Sequence, residues 1–276
     1  SFTYPQSGFK LEGNRIKLST IGRVKVRLHR QVGVIKRATI IRDIDQWFVA
    51  LLADEPHTEK ASNPNQAVGV DVGVSNLVAL SDGTIIYNPR FLNHSVEGIK
   101  HLQRQLSRKK CGSNNREKAK LSLAKAWRKV RRQRDDFAHK LSDKLTKENR
   151  IVVFEDLKIG SMVKSRSLAS AILDAAWGKL RQLTAYKAER RGGRVIIVNP
   201  RGTSQECSRC GRVVEKNLSV RMHICHHCGL ILDRDLNAAK NILALGLEQA
   251  PVEVEPLPVI RIGKFGRGSK KPTPFR

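Results

Sequence analysis

Apolar and polar residues alternate in short runs over the first fifty positions. Val24, Val26 and Leu28 alternate with Lys25, Arg27 and His29, and the runs 38–41 and 47–52 follow, with turns expected at Gly22 and Gly33. A period of two turns one strand face to a core and the other to water. Residues 9–53 therefore predict a small β-barrel or sandwich with a basic face. The polar stretch 54–66, with two prolines and two asparagines, reads as a linker.

Beyond it the pattern changes. Residues 67–72, 76–80 and 84–87 are almost continuously apolar and are separated by short turns, as in a three-stranded meander. Residues 151–154, a helical stretch at 168–191 and residues 194–198 then predict strand, helix, strand. An antiparallel meander followed by such a unit makes an α/β layer.

Between the third and fourth of these strands, Leu102, Leu106, Leu123, Trp127, Val130, Phe137, Leu141 and Leu145 recur at helical spacing, broken at Gly112-Ser-Asn-Asn. This predicts a helical hairpin with one apolar stripe, Trp127 included. The segment from Lys100 to Arg150 carries 18 Lys/Arg against five Asp/Glu. A merely solvated charged face is one account of that clustering; a surface that follows a phosphate backbone, using Arg128, Arg131 and Arg132, is the other. The tail 251–276 holds five of the ten prolines with little periodicity and is expected to be disordered.

Charge sharpens the second account. The 276 residues carry 52 Lys+Arg and 25 Asp+Glu, a formal net charge of +27. Such a surface repels itself unless its partner is a polyanion, so nucleic acid is the expected partner. A hydrophobic content of 40% excludes a wholly disordered basic tail. No apolar run approaches the ~18 residues of a membrane span, so no membrane partner is expected and a cytoplasmic, nucleoid-associated location is. Ser1-Phe-Thr-Tyr-Pro, with no initiator Met or signal segment, reads as the interior of a longer chain.

Four of the five cysteines form two Cys-x-x-Cys pairs, Cys207/Cys210 and Cys225/Cys228, with 14 residues between the pairs and a glycine after each. Two such knuckles complete a tetrahedron of thiolates around a structural Zn²⁺ and leave no open coordination position. His223, His226 and His227 are alternative ligands should one cysteine not bind. Cys111 reads as an incidental surface thiol.

Three acidic positions stand where a carboxylate is costly. Asp71 interrupts an apolar strand, Glu155-Asp156 ends another, and Asp233-Arg-Asp235 opens a helix. Burial of a carboxylate requires a cation or hydrogen bonds. If Asp71, Glu155 and Asp235 share one sheet edge, they are candidate ligands for Mg²⁺ or Mn²⁺ in phosphodiester hydrolysis by water. Asp156 is expected on the opposite strand face from Glu155, and Asp233 is expected to be a helix N-cap.

The segments Gly69-Val-Asp71-Val-Gly-Val-Ser-Asn, Phe154-Glu155-Asp-Leu, Thr203-Ser-Gln-Glu-Cys-Ser-Arg-Cys-Gly and Asp233-Arg-Asp235-Leu-Asn-Ala-Ala-Lys-Asn-Ile, in that order, resemble the TnpB (OrfB-type) proteins of insertion sequences, which are related to type V CRISPR effectors. The resemblance covers residues 2–247. It implies an RNase H-like RuvC nuclease fold whose acidic triad is Asp71, Glu155 and Asp235, and RNA-guided cleavage of DNA, with guide RNA and DNA as partners. It further implies a partial wedge domain at 1–60, a nuclease domain at 67–200 with a helical insertion at 95–150, a zinc ribbon at 201–232 and the last nuclease helix at 233–250. Family members usually begin with a further helical region, so the chain is expected to be N-terminally shortened or a decayed copy. The competing readings are a zinc-ribbon DNA- or RNA-binding regulator without cleavage and a basic ribosome-associated or RNA-packaging protein. Asp71 separates them from the nuclease, because a binder does not need a carboxylate in an apolar strand.

Overall fold

The alternating N-terminal runs form six strands in the computed structural model, which describes residues 1–29, 31–54, 67–164, 166–217 and 220–248. They are β1 (Phe2–Pro5), β2 (Phe9–Glu12), β3 (Arg15–Leu18), β4 (Gly22–Lys25), β5 (Ile35–Asp43) and β6 (Gln46–Ala53). Two antiparallel sheets result, in the orders β1-β5-β6 and β2-β3-β4. Ile16, Leu18 and Ala38 are buried between them, with Tyr4, Phe9, Leu11, Ile40, Val49 and Leu51 packed around. The expected alternation through Leu28 stops at Lys25, after which the Val26 N–H turns to the Asn14 carbonyl at 2.8 Å. Gly22, expected as a turn, opens β4 at φ 89°. The linker expected at 54–66 lies outside the described residues beyond Asp54, as does the tail 251–276.

The second unit is a five-stranded sheet built from β7 (Ala67–Val72), β8 (Asn76–Leu80), β9 (Ile85–Tyr87), β10 (Ile151–Glu155) and β11 (Arg194–Val198), in the order β11-β10-β7-β8-β9. β10 runs parallel to both β7 and β11, while β8 and β9 are antiparallel. Between β9 and β10 lie α1 (Phe91–Ser107) and α2 (Asn114–Glu148); between β10 and β11 lie α3 (Ile159–Met162), α4 (Arg166–Ala175) and α5 (Trp177–Arg190). A two-stranded ribbon, β12 (Met222–Ile224) and β13 (Ile231–Asp233), leads into α6 (Arg234–Glu248).

The sheet is covered on both faces, which accounts for the near-continuous apolar runs of β7, β8 and β10. Val68, Val70, Val152, Phe154 and Val195 pack toward Leu141, Leu145, Trp177 and Leu180 of α2 and α5. Val153, Ile196 and Val198 point the other way and meet Ile242 of α6. α6 lies close on that face because Gly246 has no side chain: a Cβ there would stand 2.5 Å from Val153 Cγ1.

The single helical stretch expected at 168–191 is two helices. Ala176, at φ 52°, breaks it. A left-handed alanine costs about 1–2 kcal/mol, and the bend lets α5 bury Trp177, Leu180 and Leu183.

The hairpin begins at Phe91 rather than near residue 95. The carboxylate of Asp174 in α4 accepts from the Leu92 N–H at 3.1 Å and also receives Arg134 of α2 at 2.6 Å, tying the three helices together. α2 starts at the expected break, where Ser113 Oγ accepts from the Arg116 N–H. The apolar stripe fails at Trp127, which is 41% exposed, whereas its neighbour Arg128 is buried. At that level α2 faces the β5–β6 turn, and that turn offers carboxylates rather than an apolar surface.

Candidate metal centres

Successive side chains of a strand point to opposite faces. Val68, Val70 and Val72 face α2 and α5, so Gly69 and Asp71 face α6. On β10, Val153 faces α6, and so does Glu155 two residues later. Val153 is level with Gly69 in the parallel β7–β10 pairing. Extending that register by two residues brings Asp71 and Glu155 side by side at the ends of adjacent strands, about 4.8 Å apart in backbone spacing.

Asp235 arrives from α6. Asp233 Oδ1 accepts from the N–H groups of Asp235 (2.8 Å) and Leu236 (3.2 Å), as an N-cap does. The cap leaves Asp235 facing the sheet edge. Asn76 Nδ2 of β8 donates to Asp235 Oδ2 at 3.1 Å, and Arg234 donates to Oδ1 through Nε (3.1 Å) and Nη2 (3.0 Å). Arg221 Nη1 lies 3.7 Å from Oδ2.

Burial pushes the Asp71 carboxyl well above the usual carboxylate range, and the charges of Glu155 and Asp235 push it further; Arg234 opposes them. Burial also raises Glu155, eased by a hydrogen bond from Thr203 Oγ1 to Glu155 Oε1. The three predicted acidic residues are thus on one face of one sheet edge. Among the described residues, the group whose metal-ligating atoms all lie within 4.8 Å of one another is the four cysteines. Asp156 is exposed and receives Arg181 Nη1 at 3.3 Å, away from this edge.

The four paired cysteines come together. Cys207 and Cys228 sulfurs lie 3.6 Å apart, as do Cys210 and Cys225, and all four are within 4.8 Å of one another. Four thiolates bonded to zinc at ~2.3 Å in a tetrahedron stand about 3.8 Å apart, so the cluster fits that ion. Both knuckles are built alike: the Gly211 N–H returns to the Cys207 carbonyl and the Gly229 N–H to that of Cys225, each at 2.9 Å, with both glycines near φ 70°. Backbone N–H groups of Cys228 and His227 pull the Cys225 thiol down to about 6, while Cys228, though lowered by the Leu230 N–H, is pushed up to about 12 by burial and by the other three cysteines. His223 is buried on β12 against Lys216, while His226, His227 and Cys111 are exposed.

The three candidate phosphate-binding arginines are engaged elsewhere. Arg128 donates to the Asp43 carbonyl at 2.8 Å and pairs with Asp45 at 2.7 Å. Arg131 and Arg132 pair with Asp43 at 2.8 and 3.1 Å, and Arg132 also lies over the Phe48 ring. They fasten α2 to the β5–β6 turn because two carboxylates there outbid water for a helix with few apolar residues at that level.

Asn76, Thr203, Arg221 and Arg234 complete the acidic edge without having been singled out from the sequence. Asn76, Thr203 and Arg234 lie within the motifs quoted above; Arg221 is in the ribbon, and no local pattern marks it.

Comparison with known proteins agrees with this architecture. Residues 50–166 match the family model OrfB_IS605, described as "Probable transposase", and residues 177–242 match the Cas12f1-like TNB domain. The chain is 39% identical over 240 residues to a Streptomyces pristinaespiralis protein named "Putative RNA-guided DNA endonuclease", covering 86% of this chain and 60% of that one. It is 35% identical over 265 residues to "Putative RNA-guided DNA endonuclease InsQ" of Escherichia coli, covering 89% and 66%. It thus spans about three-fifths to two-thirds of the length of these relatives. Its fold is similar to that of Cas12f1 in a Cas12f1–sgRNA–target DNA complex, with a TM-score of 0.54 at 20% identity over 75% of this chain and 45% of the other. No described helix is long and apolar enough to cross a membrane.

Proposed function

From the premise that this chain belongs to the OrfB-type transposase family, we propose that the edge formed by Asp71, Glu155 and Asp235 is the divalent-metal centre of an RNA-guided DNA endonuclease. The observation that carries this reading is Asp71: a half-buried residue inside an apolar strand, whose carboxyl is pushed well above the usual range by burial and by the facing Glu155 and Asp235. Unneutralised, that arrangement is costly; with cations it is a working site.

The sheet order, with three antiparallel strands followed by two parallel ones and α6 across one face, supports an RNase H-like RuvC nuclease over residues 67–200 and 233–250. Within it the helical insertion, expected at 95–150, is α1 and α2. Residues 1–60 are then the wedge unit and 201–232 the zinc ribbon. Cys207, Cys210, Cys225 and Cys228 hold a structural zinc.

Asp71, Glu155 and Asp235 would hold Mg²⁺ or Mn²⁺, ions suited to oxygen ligands. When bound they supply an activated water and charge stabilisation at the leaving oxygen. The chain's own groups set up that chemistry. Asn76 orients the Asp235 carboxylate and Thr203 that of Glu155, while Arg221, half exposed beside Asp235, presents a guanidinium to an incoming phosphate. In this reading the attacking group is a water.

The test is cleavage of guide-matched DNA by the purified chain with guide RNA and Mg²⁺, compared with Asp71→Asn, Glu155→Gln and Asp235→Asn. Loss of cleavage in all three, with nucleic-acid binding kept, supports the reading. Binding without metal-dependent cleavage by the unaltered chain would favour a regulator instead.

A further inference from the structure

The turn between β11 and the first cysteine pair touches both centres, and we propose that Thr203 is a positioning residue through which the four-cysteine centre holds Glu155 for a divalent ion. This rests on the metal-centre reading above.

Thr203 is 3% exposed. Its hydroxyl carries one proton and has two acceptors in reach, Glu155 Oε1 and the Pro200 carbonyl at 3.1 Å. An ionised carboxylate is the stronger acceptor, so the proton goes to Glu155. That bond fixes one oxygen of Glu155 and leaves the other for an ion.

The same turn is held from behind by α6, the helix that carries Asp235. Asn241 Nδ2 donates to the carbonyls of Thr203 (2.8 Å) and Glu206 (2.7 Å). Asn237, fully buried, donates to the Glu206 carbonyl at 2.7 Å and accepts from the Ser208 N–H at 2.9 Å. Asn237 and Asn241 are four residues apart and share one helix face. Cys207 therefore lies between two residues pinned to α6, and zinc at its sulfur closes the turn from the other side. Gly202, at φ 88°, permits the chain reversal that points Thr203 back to the sheet. Without zinc Cys207 loses that anchor, and Thr203 loses its fixed position over Glu155.

The experiment is titration of the full chain with Mn²⁺, followed by electron paramagnetic resonance, for the zinc-loaded unaltered protein, Thr203→Val, Thr203→Ser and Asn241→Leu, and for the zinc-free Cys210→Ser and Thr203→Val/Cys210→Ser variants. Outer-sphere partners typically change metal affinity by about 10–100-fold. Thr203→Val and Cys210→Ser should each weaken Mn²⁺ binding by that order. Thr203→Ser should restore it, and the double variant should bind no more weakly than the worse single one. Asn241→Leu, which keeps the hydroxyl, should weaken Mn²⁺ binding with one zinc per chain retained, so the proposal does not depend on how well Thr203→Val folds. Unchanged Mn²⁺ affinity in Thr203→Val and Asn241→Leu, or additive losses in the double variant, would overturn it. If the unaltered chain shows no Mn²⁺ site that Asp71→Asn removes, the metal-centre reading itself fails first.

Discussion

Gly69 of β7 and Ala239 of α6 are in backbone contact: a Cβ on Gly69 would stand 2.1 Å from the Ala239 carbonyl oxygen and 2.7 Å from the Leu243 nitrogen. The obstacles are backbone atoms of a helix and cannot rotate away. Asp71 is two residues from one partner and Asp235 four from the other, so this contact sets the separation of the two carboxylates.

Gly69→Ala should therefore push α6 off the sheet. Overpacking of this kind costs about 1–3 kcal/mol, and backbone obstacles place this substitution at or above the upper end. Urea unfolding should show the loss, together with weaker divalent-metal binding at the acidic edge. Wild-type stability and metal affinity would show that α6 adjusts freely.

Asp71→Asn should abolish cleavage yet stabilise the metal-free chain at neutral pH. The folded-state carboxyl is held above its ordinary value by burial and by Glu155 and Asp235. A group raised in this way contributes stability that is present below its unfolded pKa and is lost as pH rises through the folded one. The asparagine variant has no such loss. Its melting temperature, measured in chelator, should exceed that of the unaltered chain near pH 7, with the difference vanishing below about pH 4.

One zinc per chain is expected, and Cys225→Ser should lose it. Cys225 is 1% exposed and its thiolate is favoured by two backbone N–H groups. Since a structural site contributes its binding energy to folding, the ribbon should open while the sheet and its helices keep their circular dichroism. Elemental analysis showing full folding without zinc would contradict the assignment.

Charge reversal should separate two kinds of basic residue on α2. Arg128→Glu should lower the melting temperature, because Arg128 is fastened to Asp43 and Asp45. Lys129, its exposed neighbour, should behave as a phosphate contact: Lys129→Glu should weaken nucleic-acid binding about equally for all sequences and reduce the salt slope by about one. Lys125 and then Arg128 hold the Asp45 carboxyl down at about 2. This fastening therefore contributes stability above the ordinary carboxylate range, and that contribution is lost as pH falls toward 2.

What could be read from the sequence alone was whatever one segment specifies about itself. The spacing of Cys207, Cys210, Cys225 and Cys228 defines a tetrahedral donor set; the apolar runs that became β7, β8, β10 and β11 announce strands covered on both faces; and Ser113 marks the start of α2 through its own hydroxyl. Asp71 was conspicuous because a carboxylate in such a run is expensive wherever the strand ends up. Periodicity reports that a helix has a face, but not what will lie against it. Trp127 fits the helical stripe as well as Phe137 does, and only the arrival of Asp43 and Asp45 at that level buries Arg128 instead. The first turn of α1 is set by Asp174, 82 residues away, and the broken helix at Ala176 by the surface that α5 must cover. Arg221 and Thr203 reach the acidic edge from the ribbon and its preceding turn, positions fixed by the cysteine cluster and by Asn237 and Asn241 on α6. Long-range placement of this kind depends on three-dimensional packing and side-chain reach, which no local pattern encodes.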